Sequence, residues 1–561
     1  MVAKTARDNG LTLGAIAAEQ FSRKGRSAID DTLSKRLFID HQQSTLECFA
    51  LTSSDLGGCY DRIIHTAVTL ALRRIGVPKS RIESMFGVIQ QMTHRIRTAY
   101  GDSDITYGGD NIGDWDNFSQ GILQGNTTWP DVWSALSSVV FEVLHKRGFG
   151  CKMITSISRQ LFTLVGFAYV DDCDLMQTGS DPLLVLTSMQ KLINSWGDLM
   201  EVTGGALRTD KSWYYLIEYV WKHGKWTASD PDIPIDLMAT DMSGQRIALS
   251  HLRCNEAAEM LGVWMAPNGD RTKLISELRA KAVEWGGKIT RGNTSRNEAW
   301  TALNSNISAS LKYPLPACTL TKKECKSIMW PAIKAALPRS GIASVIAGKI
   351  RDGPGGSGGS GSLSLYHYMG TSRTSKLVEE LFRGTPLGFG MKMCIEDLVL
   401  DAGWYGLLWK MPFMKISKYI AAHSWLYSVI AYNHKYDISI NAAHQVLKEQ
   451  RVNDAAIMTM ACSNFENVSD LRSINRVRQG HQCNSLSEMC TADGLGVDKR
   501  YMTSKISDAR RNNLGWPTQS HITKKDNRVW KKFITSLCKE NETALLVPFG
   551  GGGYTVLIGN G

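Results

Sequence analysis

The chain has 561 residues, 43% hydrophobic and 21% charged, which is ordinary for a soluble globular protein and enough for two or more domains. Sixty-four Lys and Arg against 53 Asp and Glu give a net charge of +11, a moderate excess that favours a polyanionic partner. No apolar run is long enough to span a membrane and no signal-peptide core follows the N-terminus, so a soluble intracellular protein is expected, with sequons such as Asn293-Thr294-Ser295 left bare.

Up to about residue 45 the chain is basic. Arg23-Lys24-Gly25-Arg26 precedes Ile29, Leu33 and Leu37 at a spacing of four, which predicts a helix from Ser27 onward. Residues 46 to 52 alternate loosely and predict a strand running into Ser53-Ser54-Asp55. Helices are expected over 62–74, behind Pro78, over 129–147 with Pro130 in the first turn, and over 182–202 before Gly204-Gly205. Between them, 101–117 should hold loops or short strands, 161–170 one apolar strand, and 213–220 a β-prone segment. From 270 to 350 the pattern is helical, interrupted at Pro314 and Pro316. Residues 353–362 form a Gly/Ser-rich connector, read as a loop-like boundary, and 363–561 is expected to be mostly helical. The twelve cysteines form no Cys-x-x-Cys pair. His481, Cys483 and Cys490 lack zinc-site spacing and a fourth ligand, so ordinary reduced thiols are expected.

The most informative stretch is Phe167-Ala168-Tyr169-Val170-Asp171-Asp172-Cys173-Asp174-Leu175. Neighbouring side chains on a strand face opposite ways, so two adjacent acids between apolar runs predict a hairpin turn with both at its tip. Paired negative charge beside a core is costly unless a cation compensates it, which makes the turn a candidate metal site. Metal-assisted phosphoryl transfer needs carboxylates from more than one segment. Asp55 is the natural third acid, since it ends a strand and is followed by small residues and Tyr60. Asp61 and Asp174 read as structural.

Taken in order, these segments resemble the palm of a reverse transcriptase, most closely those of non-LTR retrotransposons. Ser54-Asp55-Leu56-Gly57-Gly58-Cys59-Tyr60-Asp61-Arg62 is similar to the family's first palm motif, Gly121-Ile122-Leu123-Gln124-Gly125 to the second and Tyr169-Val170-Asp171-Asp172 to the third. Gly204-Gly205 with Asp210-Lys211-Ser212-Trp213 is similar to the fourth, and Leu261-Gly262-Val263 to the fifth. Upstream, Gln20-Phe21-Ser22-Arg23-Lys24-Gly25-Arg26-Ser27 resembles the basic fingers motif. The likeness spans roughly residues 15 to 345.

The resemblance implies an α+β fold: a right-hand palm over 46–265 with an antiparallel sheet and packed helices, a helical thumb over 266–350, and partial fingers over 1–45. It implies an RNA-directed DNA polymerase that uses two Mg²⁺ ions (Mn²⁺ as a substitute), dNTPs, an RNA template and a DNA primer. Asp55, Asp171 and Asp172, with the Leu56 carbonyl, would hold the metals, and Lys211 would protonate the pyrophosphate. Tyr60 would exclude a 2′-hydroxyl, Gln124 and Gly125 would shape the pocket, and Arg23, Lys24 and Arg26 would hold the triphosphate or template backbone. The helical stretch carrying Trp264, Lys273, Arg279, Lys281, Lys288 and Arg291 suits either a phosphate backbone or plain solvent. Three departures stand out: few residues precede the basic motif, neither endonuclease nor RNase H pattern is visible, and Gly57-Gly58 is looser than the usual polar-small pair. A chain fragment, a nucleic-acid-binding remnant and an RNA-templated RNA polymerase therefore stay as alternative expectations.

Overall fold

The computed structural model describes residues 2–57, 59–95, 97–104, 107–108, 129–353, 355–362, 364–420, 424–448, 450–451, 454–502, 512–517 and 521–539. At its centre lies an antiparallel sheet in the order β5-β4-β1-β3-β2. The strands are β1 (Cys48–Ser54), β2 (Gly166–Tyr169), β3 (Asp172–Gly179), β4 (Trp213–Lys222) and β5 (Lys225–Ser229). Ser250–His251 adds a short parallel pairing to β4.

Alternation along the strands fixes two faces. On one face Ala50, Leu175 and Leu216 meet Trp133, Phe141, Leu192 and Trp196. These come from the helices Trp129–Lys146 and Pro182–Val202. On the other face Phe49, Leu51, Phe167, Met176, Tyr215 and Ile217 meet Phe38 and Ile39. The last two belong to the helix Ala28–Thr45, which we label α2 after α1 (Val2–Thr12). Helix α2 is covered on both sides, since its Leu33 and Leu37 join the core of the C-terminal helical region.

That burial explains an unusual composition. Asp30, Asp31, Lys35, Arg36, Asp40 and His41 of α2 are all buried, which is tolerable because each is paired. Asp30 meets Lys376, Lys35 meets Asp31 and Asp174, Arg36 meets Asp40, and His41 meets Asp397.

Beyond the sheet, the helices Thr272–Arg291 and Lys322–Arg339 pack on a separate core through Leu274, Leu278, Ile328 and Ala332. Lys273 lies over Trp264 and Lys288 over Trp285. The described residues between 364 and 539 are built mainly from helices packed around buried Trp425 and Trp530. Around the Gly/Ser-rich run the chain folds back: Ser360 N–H donates to Ile350 and Gly361 N–H to Gly353.

Two expectations are corrected. The apolar run over 161–170 is two strands: Leu161–Leu164 pairs with Cys151–Ile154, and only Gly166–Tyr169 joins the main sheet. Gly166 sits where any Cβ would lie 2.3 Å from the Asp174 carbonyl, so the chain changes partners at that close approach. The segment before Ser27 also holds a helix of its own, α1, anchored by buried Ala6. Among the described residues no helix is long and apolar enough to cross a membrane.

Candidate active site

Strands β2 and β3 form a hairpin in which Tyr169 pairs with Asp172, leaving Val170 and Asp171 as the two tip residues. Val170 takes a φ of 60°, the left-handed conformation that tight hairpins need and β-branched residues avoid. Such strain persists only when the surroundings hold it. Here the Trp133 indole N–H donates to the Val170 carbonyl at 2.5 Å. The tip is thus clamped from the helix Trp129–Lys146.

Beside it, β1 pairs with β3 so that Ser54 faces Cys173. One step further along that register brings Asp55 next to Asp172. The backbone around Asp55 is held by the fourth motif: the Asp55 amide donates to Ser212 Oγ, and the Asp55 carbonyl accepts from Arg208 N–H at 2.9 Å. Gly57 N–H donates to Ala206, so the Leu56 carbonyl takes no part in either ladder bond. Gly204 makes this junction possible. It has a φ of 89°, and a Cβ there would lie 2.2 Å from the Arg62 carbonyl.

Burial and neighbouring charge shift the two acids of the turn. Burial first, then the Asp55 charge, holds Asp171 above the usual carboxylate range. Burial and the charges of Asp171, Asp174 and Asp55 push Asp172 up to about 6, against an opposing pull from Lys35. Lys211, largely exposed, places Nζ 3.7 Å from Asp55 Oδ2. Behind the tip, buried Lys35 bridges Asp31 and Asp174, and Asp31 is itself raised to about 6, chiefly by burial.

An oxygen-only donor set under mutual repulsion suits a hard divalent cation, which would relieve that repulsion. The acids are gathered at one tip without closing on a common point: among the described residues no three His, Cys, Asp or Glu side chains are arranged to hold a metal ion. Among the described residues no disulfide is present, and burial raises Cys173 well above its ordinary value.

The structure therefore brings Asp55, Asp171, Asp172 and Lys211 together. Tyr60 follows on the short helix Cys59–Arg62 and packs half-buried against the palm core. The basic motif reaches the same hairpin, because Gln20 bridges Ala168 in parallel and Phe21 N–H donates to the Ala168 carbonyl. Lys24 is exposed. Arg26 donates to the Ala18 and Gln20 carbonyls and lies 5.0 Å over Phe21, with burial lowering its pKa to about 9. Arg23 is also lowered by burial. Gln124 and Gly125 lie outside the described residues. Sequence reasoning missed Trp133 and Lys35. Only the Asp31–Lys35 spacing of four, inside a helix that must be buried, could have signalled the second.

The chain is an α+β fold in which an antiparallel sheet with an acidic hairpin is flanked by helices, the arrangement the sequence resemblance implies for a palm and a helical thumb. No protein-family model and no curated protein matches the chain. Among solved structures it is similar to apo telomerase from Candida tropicalis, at 12% identity and a TM-score of 0.28, covering 70% of this chain and 59% of that one. It is also similar to telomerase from Candida albicans in complex with a TWJ fragment of telomeric RNA, at 10% identity, a TM-score of 0.27 and coverage of 79% and 58%. The chain spans less than two thirds of either, and so loose a superposition assigns no residue.

Proposed function

We propose that the chain is an RNA-directed DNA polymerase of the non-LTR retrotransposon type, extending a DNA primer on an RNA template with dNTPs. The supporting observation is the meeting of Asp55 with the Asp171-Asp172 hairpin tip, where burial and then neighbouring charge raise the carboxyls of Asp171 and Asp172. Asp55, Asp171 and Asp172, with the Leu56 carbonyl, would hold two Mg²⁺ ions, or Mn²⁺ in their place. Bound there, such ions supply activation of the primer 3′-hydroxyl and neutralisation of the triphosphate.

The chain's own groups do the rest. Lys211 stands on the solvent side of Asp55, in reach of a departing pyrophosphate that needs a proton. Tyr60, fixed against the core, excludes a ribose 2′-hydroxyl, and Gln124 with Gly125 shapes the pocket around the templating pair. Arg23 and Lys24 offer charge to the triphosphate or template backbone. Arg26 serves the same motif from beneath, holding its backbone through two carbonyls.

A second reading, a nucleic-acid-binding remnant, is favoured by the unclosed acid set. Primer extension separates the two. Given poly(rA)/oligo(dT), Mg²⁺ and dTTP, the polymerase reading expects extension, and none when UTP replaces dTTP. Binding of the hybrid without extension establishes the remnant, and extension with UTP points to an RNA polymerase.

A further inference from the structure

Asp31, Lys35 and Asp174 form a charged cluster that no step above uses. Their side chains are 0%, 2% and 5% exposed. Lys35 Nζ lies 2.5 Å from Asp31 Oδ1, one turn earlier on α2, and pairs as closely with Asp174 Oδ2 of β3. Asp174 stands opposite Ser53 on β1 and Phe167 on β2, so it sits mid-sheet at the root of the hairpin. It is two residues from Asp172, and positions i and i+2 of a strand share a face. That face is the one α2 covers, as Phe38 and Phe49 in edge-to-face contact show. Lys35 therefore lies directly behind the acidic tip, on the side away from solvent, while Lys211 lies in front of it.

A bare core could have filled this space with leucine. Replacing a buried ion cluster by apolar residues is often neutral or stabilising, so such a cluster is weak evidence for stability. Its geometry does something packing cannot. It ties the hairpin's root to a helix locked on its other side into the C-terminal core, and it sets a buried positive charge behind three neighbouring acids.

We propose that Lys35 is a positioning residue for the acidic hairpin, acting through Asp174 to fix where Asp171 and Asp172 stand relative to Asp55. The inference rests on the polymerase reading for its kinetic consequence, but not for its metal-binding one. With Lys35 removed, the hairpin loses its tie to α2 while its tip keeps every acid.

The test uses the full chain and the double variant Lys35→Met/Asp174→Asn, which removes one charge of each sign and so leaves the formal net charge unchanged. Lys35→Arg is the second variant. It keeps both charges but reaches the carboxylates with a different fork, and it stands in if the double variant shows no cooperative melt. Binding of Mn²⁺ is followed by electron paramagnetic resonance, and dTTP incorporation on poly(rA)/oligo(dT) gives kcat and KM separately. The double variant should melt cooperatively, bind Mn²⁺ about tenfold more weakly, and lose about 10²-fold in kcat with KM within about threefold of wild type. Lys35→Arg should lose about tenfold in kcat at unchanged KM.

Wild-type Mn²⁺ affinity and kcat in a folded double variant, or in Lys35→Arg when only that folds, would overturn the inference. If the wild-type chain binds Mn²⁺ but incorporates nothing, the polymerase reading fails and the Mn²⁺ comparison alone decides Lys35. Absence of Mn²⁺ binding to the wild type overturns both.

Discussion

Replacing Asp172 by Asn should stabilise the metal-free chain at neutral pH and do nothing at acid pH. The carboxyl moves from an ordinary 3.8 to about 6, mainly through burial and the charges of Asp171, Asp174 and Asp55. The folded protein therefore binds this proton more tightly than the unfolded chain does. Its share of stability falls as pH rises from about 4 to about 6, then stays constant. Unscreened, that displacement costs about 3 kcal/mol at pH 7.5, at ~1.4 kcal/mol per tenfold change. The residue as a whole stays open to solvent although its carboxyl is partly desolvated, so solvent screening cuts the figure to about 1–1.5 kcal/mol. The assay is thermal melting in EDTA at pH 4 and pH 7.5. The variant should melt about 1–3 °C higher at pH 7.5 and level with wild type at pH 4. Adding Mg²⁺ should narrow or reverse the gap, because ligand binding stabilises the wild type more. A variant that melts lower than wild type in EDTA at pH 7.5, or a gap of equal size at both pH values, would refute the mutual-repulsion argument.

Gly204→Ala should destabilise the palm by about 2–5 kcal/mol, the sum of left-handed strain and a clash with the Arg62 carbonyl. Urea unfolding checks it, and a midpoint equal to wild type would show that the junction relaxes freely. Lys211→Ala should leave stability within about 0.5 kcal/mol, because its contact with Asp55 is exposed and long. It should still slow dTTP incorporation by about 10²-fold, and unchanged incorporation would reduce Lys211 to a solvated side chain.

The parts legible in the sequence are those fixed locally. The helix Pro182–Val202 falls where Pro182 and Gly204-Gly205 put it, with Asp181 capping the Leu184 amide. The acidic turn was legible because two adjacent carboxylates between apolar runs leave the chain few options. Asp174 was readable as structural, but its partner was not. Lys35 lies far away in sequence, and the pair exists only because α2 crosses the sheet at that point. The same holds for Arg26. A basic run looks like phosphate-binding charge until the Ala18 and Gln20 carbonyls are seen to accept from it. Trp133 lies inside the helix expected over 129–147, and only the fold aims its N–H at the strained Val170.

The central claim is that Asp55 and the Asp171-Asp172 hairpin form one centre for nucleotidyl transfer. It is tested most directly by single-turnover dTTP incorporation on poly(rA)/oligo(dT) with Mg²⁺, comparing wild type with Asp55→Asn and Asp171→Asn. Each variant should bind the hybrid as wild type does and lose about 10³-fold or more in rate. Incorporation by either folded variant within about tenfold of wild type would contradict it.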